Sequence, residues 1–298
     1  MQANTKQTPL IYQIVNSIAN ESKIPKQPEI RKTPQQQTKS VTQAINKVTP
    51  PEKSKTKWVS APLTINLYKP NYILPYYYTF SPYQSVYQGQ TPDNQELKNA
   101  EWKFQFSLNV PLVYIYNDHF RFNFAYSQLS YWQFYAPQSQ YFRETDYEPE
   151  LYMSTDLMNH VTGSVGIEHQ SNGKGGDLER SWNRAYIQST YNNDQYMLRL
   201  KLWDIIFRSE SSDLHNPDIG NFMGYGEIIG AWKFYSDFEL SVMLRSIKYP
   251  TTEIGFSFPV YGVIKGYLQF FSGYGQSLIE YNHHTNAIGI GITINNWI

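Results

Sequence analysis

The chain has 298 residues, long enough for one large domain or two ordinary ones, and its 25 Lys and Arg balance 25 Asp and Glu. Cysteine is absent, which excludes disulfides and thiolate chemistry. No run approaches the roughly 18 apolar residues of a transmembrane helix, yet 26 Tyr, 16 Phe and 7 Trp make up 16% of the chain, a composition that suits either membrane-interface girdles or an aromatic-rich soluble β-sandwich.

Neutrality hides an asymmetry. Residues 1–57 hold ten Lys and Arg against three Asp and Glu, a formal +7, so the remainder carries −7. This first segment is rich in Gln, Thr, Lys, Ser and Pro and poor in aromatic residues, which predicts a disordered basic arm followed by a folded domain over 58–298. Within the arm, Leu10, Ile11, Ile14, Val15 and Ile18 have the spacing of a short amphipathic helix. Residues 1–20 show no signal-peptide pattern.

From Asn71 onward apolar and polar residues alternate with period two, the mark of half-buried strands. Twelve such segments are expected, near 72–80, 102–112, 119–133, 146–157, 161–171, 182–190, 195–204, 223–233, 238–246, 251–258, 262–272 and 286–294. Their apolar faces are continuous and aromatic, and many run to the 9–11 residues that cross a bilayer when tilted. An even number closes an antiparallel barrel with no free edge, as lipid requires. The expected fold is therefore all-β: a twelve-stranded antiparallel transmembrane barrel with a disordered N-terminal arm. Lys103, Arg121, Arg199 and Glu253 would face a lumen filled by charge pairs, which argues against a wide channel.

The fifth segment ends in Glu168-His169-Gln170-Ser171. Side chains at i and i+2 of a strand share a face, ~7 Å apart along it. His169 and Ser171 share theirs with Val161, Gly163, Val165 and Ile167, the face turned to lipid. On the returning strand Asn183 has the parity of Ala185 and Ile187 and points the same way. An imidazole can activate a serine hydroxyl as a nucleophile, and a neutral Asn can fix the ring's orientation without placing an anion against lipid. With both termini in the periplasm, the fifth strand runs outward and this group reaches the outer-leaflet rim. The intervening loop holds Gly173, Gly175 and Gly176 with Asp177 and Glu179, suited to backbone donors and a hard cation such as Ca²⁺. Its Gly-Lys-Gly-Gly run lacks Walker spacing, and no helix is expected after it.

His169-x-Ser171-Asn172-Gly173 with Arg180-Ser181-Trp182-Asn183-Arg184 resembles the signature of the outer membrane phospholipase A family. The similarity extends to Phe142-Arg143-Glu144-Thr145-x-Tyr147-Glu148-Pro149, to Asn216-Pro217-Asp218-Ile219 and Met223-Gly224-Tyr225, and to the run from Ser272 through Asn282. The resemblance implies a Ca²⁺-dependent barrel, active as a membrane-embedded homodimer, that hydrolyses acyl esters of phospholipids and lysophospholipids; no nucleic-acid partner is expected. By motif, Ser171 would be the nucleophile, His169 the base, Asn183 the orienting residue and Gly173 the oxyanion donor. Calcium would take the Lys174 carbonyl, Glu179 and Ser139 of the second subunit, with Asp213 nearest to a further cation site. Position 179 departs from the family, which carries Ser there, and the family's neighbouring Asp falls at Gly176. Gln128 faces lipid by parity, and the resemblance places it in a hydrogen bond across the dimer interface. The rival expectations are a non-enzymatic small barrel or pore, and a different outer-membrane hydrolase such as a lipid A deacylase or a protease.

Overall fold

The computed structural model describes residues 59–115, 119–207, 215–235 and 237–298. The basic arm, its amphipathic stretch and Asp213 lie outside the described residues. Two short strands, β1 (Val59–Ser60) and β2 (Asn66–Leu67), precede β3 (Asn71–Thr79), β4 (Ala100–Ile115), β5 (Phe120–Trp132) and β6 (Phe142–Met158). There follow β7 (Val161–Ser171), β8 (Ser181–Asn192), β9 (Tyr196–Ile206) and β10 (Gly226–Phe234). The last four are β11 (Phe238–Arg245), β12 (Thr251–Tyr261), β13 (Ile264–Tyr274) and β14 (His284–Asn295). From β3 to β14 each strand pairs antiparallel with its sequence neighbour, and β14 returns to β3, which closes a twelve-stranded barrel. β1 and β2 lie along β4, with Val59 opposite Tyr114 and Leu67 opposite Leu108.

All twelve expected segments are barrel strands, with shifted ends. The eighth begins three residues later than expected: Ile219–Met223 forms a short helix that stops at Gly224, whose φ of 71° only glycine adopts easily. Three prolines that alternation alone would place inside ladders sit at interruptions of them. The pairing slips between Leu74 and Tyr77 around Pro75, after Pro111 and after Pro259, where a residue without an N–H costs no ladder bond.

The apolar faces point outward. Leu198, Leu200 and Leu202 of β9 and Ile288, Ile290, Ile292 and Ile294 of β14 are all exposed. Trp102, Trp132, Phe134 and Phe142 stack on one another at one end of β4–β6, forming an aromatic cluster of the kind found at membrane interfaces. The lumen is filled with paired charge. Arg143 binds Glu101 at 2.7 Å and Glu280 at 3.1 Å, with all three side chains buried. Below it, Glu148, Glu150 and Glu168 are met by Lys69, Arg184 and Lys201. Lys103 lies 3.7 Å from Glu253, and Arg199 lies 3.2 Å from Glu227. The loop between β13 and β14 folds into the mouth, and Gln276 through Tyr281 are buried. The expected plugged lumen is what the barrel contains.

Candidate active site

The β7–β8 hairpin sets the register of the outward-facing group. Its ladder runs without interruption from Val161–Tyr191 to Ser171–Ser181 and places His169 directly opposite Asn183. Val165 and Ile167 are exposed while Ser164 and Glu168 are buried, so odd-numbered residues of β7 face outward, His169 and Ser171 among them. On β8 the inward residues are Trp182, Arg184 and Tyr186, which leaves Asn183 outward. His169 Nδ1 lies 2.9 Å from Asn183 Oδ1. An amide oxygen only accepts, so this contact requires the hydrogen on Nδ1 and leaves the Nε2 lone pair free. Ser171 is partly exposed, and its hydroxyl makes no hydrogen bond with the described residues. Serine–histidine bonds are often long in the absence of substrate.

The loop that follows is tightly determined. Gly173 has φ 63°, and a Cβ there would lie 2.8 Å from Tyr147 Cε2; backbone conformation and the neighbouring ring both demand glycine. Asn172 is buried and its side chain binds four partners, the Glu144 carboxylate and three backbone groups of the loop. A single 3₁₀ turn covers Gly176–Leu178, where no helix was expected. Arg180 Nη1 donates to the carbonyls of Asp177 at 2.9 Å and Glu179 at 2.7 Å. On the far side Asn216 brackets the start of β8, accepting from Ser181 N and donating to Ser181 O. Tyr281 donates to Asp218 at 2.6 Å. Burial first, and then that carboxylate, hold its hydroxyl pKa above the ordinary tyrosine value, so it remains a donor.

The residues expected to hold calcium are distributed as follows. Lys174 and Glu179 share this loop, and the half-buried Glu179 side chain has no hydrogen bond or ion pair with the described residues. A free carboxylate beside loop carbonyls is a donor set that fits a hard cation. Ser139 lies in the β5–β6 loop, where its hydroxyl donates to Asp93 at 2.7 Å and joins neither Lys174 nor Glu179 within the chain. Gln128 faces outward as expected, but it is not bare: it accepts from the Tyr126 hydroxyl at 2.9 Å and donates to Ser130 at 3.1 Å. The one compact carboxylate cluster with metal-like spacing among the described residues, Glu148, Glu150 and Glu168, is neutralised by its own lysines and arginine.

Sequence reasoning quoted Glu144, Asn172 and Arg180 within motifs but gave none of them a role. Glu144 lies on β6 just past a bulge, where Tyr131 pairs with Glu144 and Trp132 with Phe142. The extra residue, Arg143, turns inward beside Glu144, and strict alternation cannot anticipate two consecutive inward side chains.

The family model described as Phospholipase A1 matches residues 51–294. A phospholipase A1 of Klebsiella pneumoniae is 30% identical over 251 residues, covering 78% of this chain and 83% of the relative. The solved outer membrane phospholipase A from Escherichia coli superposes with a TM-score of 0.72 at 29% identity, covering 79% of this chain and 100% of that one. A Salmonella typhi outer membrane phospholipase, described as a dimer with bound calcium, also superposes at 0.72, with 30% identity, 79% of this chain and 93% of that one. The chain belongs to the phospholipase A1 family and is a bacterial outer-membrane β-barrel that hydrolyses phospholipid esters.

Proposed function

We propose that this protein is a calcium-dependent phospholipase of the A1/A2 type, also active on lysophospholipids, whose Ser171, His169 and Asn183 form a triad on the outside of the barrel. The observation that carries the reading is the 2.9 Å bond from His169 Nδ1 to Asn183 Oδ1 on the outward face. It orients Nε2 as the base for a hydroxyl two residues away on the same face. Nε2 takes the Ser171 proton as Oγ attacks the ester carbonyl. The acyl–oxygen bond of the lipid then breaks, the imidazolium returns the proton to the departing alcohol, and water releases the fatty acid from the acyl-serine by the same route in reverse. The Gly173 amide faces the developing oxyanion. When bound, calcium adds positive charge beside that oxyanion; the Lys174 carbonyl, Glu179 and Ser139 of a second copy would hold it. The Gln128 pairs of two copies meet at that interface, exchanging their present bonds to Tyr126 and Ser130 for one across the dimer. The site opens to the outer leaflet, where phospholipid reaches it from the plane of the membrane.

Ser171→Ala should abolish fatty-acid release from phospholipid in detergent micelles containing calcium, and undiminished release refutes the assignment. Adding a chelator should stop wild-type release while the unheated protein still migrates as a folded barrel. Activity indifferent to chelation removes calcium from the account and leaves the triad. The pore reading is disfavoured by the buried Arg143–Glu101–Glu280 group and the loop folded into the mouth.

A further inference from the structure

We infer that Asn172 is a positioning residue for this reaction and that the buried carboxylate of Glu144 anchors it, setting the direction of the Gly173 amide from inside the barrel. The inference rests on the proposed roles of Ser171 and Gly173. Asn172 lies between them but points the opposite way, into the lumen, with 4% of its surface exposed. All four hydrogen-bonding positions of its amide are occupied. Nδ2 donates to Glu144 Oε1 at 3.0 Å and to the Leu178 carbonyl at 2.7 Å. Oδ1 accepts from Lys174 N at 3.3 Å and Arg180 N at 3.1 Å, and the Asn172 backbone N–H meets the Arg180 carbonyl at 3.1 Å. One side chain thus ties together both ends and the middle of the loop that carries Gly173. Gly173 is held between a pinned Asn172 and a pinned Lys174, with Tyr147 against its Cα.

The anchor is itself fixed. Glu144 is fully buried, and the same oxygen that accepts from Asn172 also accepts from Ile279 N–H at 3.2 Å, in the loop that fills the mouth. Its other oxygen, Oε2, is buried beside the Asp146 carboxyl, two residues further along the same face of β6. Burying two carboxyls side by side costs stability, and Oε1 joins the loop that carries Gly173 to the interior through its bonds from Asn172 and Ile279. Misplacing a donor by about 1 Å is enough to slow a reaction about a hundredfold. The lost interaction is one made with the transition state, so the change belongs in kcat and not in KM.

The test is steady-state hydrolysis of phospholipid micelles by the full-length protein at saturating calcium chloride, with folding checked by the mobility of the unheated barrel. Asn172→Ala should lower kcat by about two orders of magnitude with KM unchanged, and a calcium titration should not restore it. Glu144→Ala should fall between this variant and wild type, and Glu144→Gln, which keeps the acceptor oxygen, should recover most of that loss. Wild-type kcat in folded Asn172→Ala, a loss carried by KM, rescue by excess calcium, or equal activities for Glu144→Gln and Glu144→Ala would each overturn the inference. If neither alanine variant folds, the pair is a folding element and the inference is likewise overturned. Ser171→Ala run in parallel separates the two levels: release that survives it refutes the site, whereas silence there with a normal Asn172→Ala refutes only the anchor.

Discussion

His169 and Asn183 are held face to face by a strand ladder, and the consequences are chemical. Asparagine orients an imidazole through the same hydrogen bond as a carboxylate would, but it contributes no charge to stabilise the imidazolium. On a surface turned to hydrocarbon that neutrality avoids the desolvation of an anion. In the proposed triad orientation is most of what Asn183 would supply, and Asn183→Ala should lower kcat by about 10²-fold while Ser171 remains essential; kinetics at saturating substrate check this. Gly173 is constrained twice, by φ 63° and by Tyr147 at 2.8 Å from a Cβ. Gly173→Ala should therefore cost about 1–3 kcal/mol of backbone strain, seen as reduced turnover with the barrel still folded. The pair at 169 and 171 and its outward parity were legible in the sequence, because a regular strand obeys period two. The hydrogen-bond network of Asn172 was not, since its partners are backbone atoms of a loop and a carboxylate from another strand.

At the scale of elements, β6 does two things at once. Its lumenal face carries Glu144, Asp146, Glu148 and Glu150, all from one strand, so their repulsion must be relieved. Lys69, Arg184 and Lys201 do this for the lower pair. Near the upper pair, the bulge brings Arg143 inside, where it takes Glu101 and Glu280 as its own partners. Removing one member of such a group strands buried charge, so Arg143→Leu should destabilise the barrel by about 3–5 kcal/mol, measurable as a lower urea midpoint in detergent. Alternation accounts for the inward carboxylates, but it has no term for an inserted residue. That is why the strand begins at Phe142 and not near 146, and why the ion group at the mouth was not foreseen. The short helix Ile219–Met223 was not foreseen, and its last residue, Met223, was read as the start of the strand that follows.

At the largest scale, the barrel is a soluble protein turned inside out, with charge in the middle and apolar side chains outside. Closure of twelve strands leaves no barrel edge unpaired and fixes which residues meet lipid. Leu200, halfway along β9 and exposed, tests this reading: Leu200→Arg should cost about 2–4 kcal/mol if it lies at the bilayer midplane, with little change in detergent turnover. The fold was legible because twelve alternating segments leave few alternatives in a chain without cysteine or long apolar runs. The conformations of the loops that finish the site were not, because they depend on contacts far apart in sequence, such as Ile279 with Glu144. The most direct test of the central claim is to treat the purified protein with an organophosphate in calcium-containing micelles and locate the adduct by mass spectrometry. The account predicts one adduct, on Ser171, accumulating in step with loss of fatty-acid release; inactivation with Ser171 unmodified, or full activity with Ser171 modified, would contradict it.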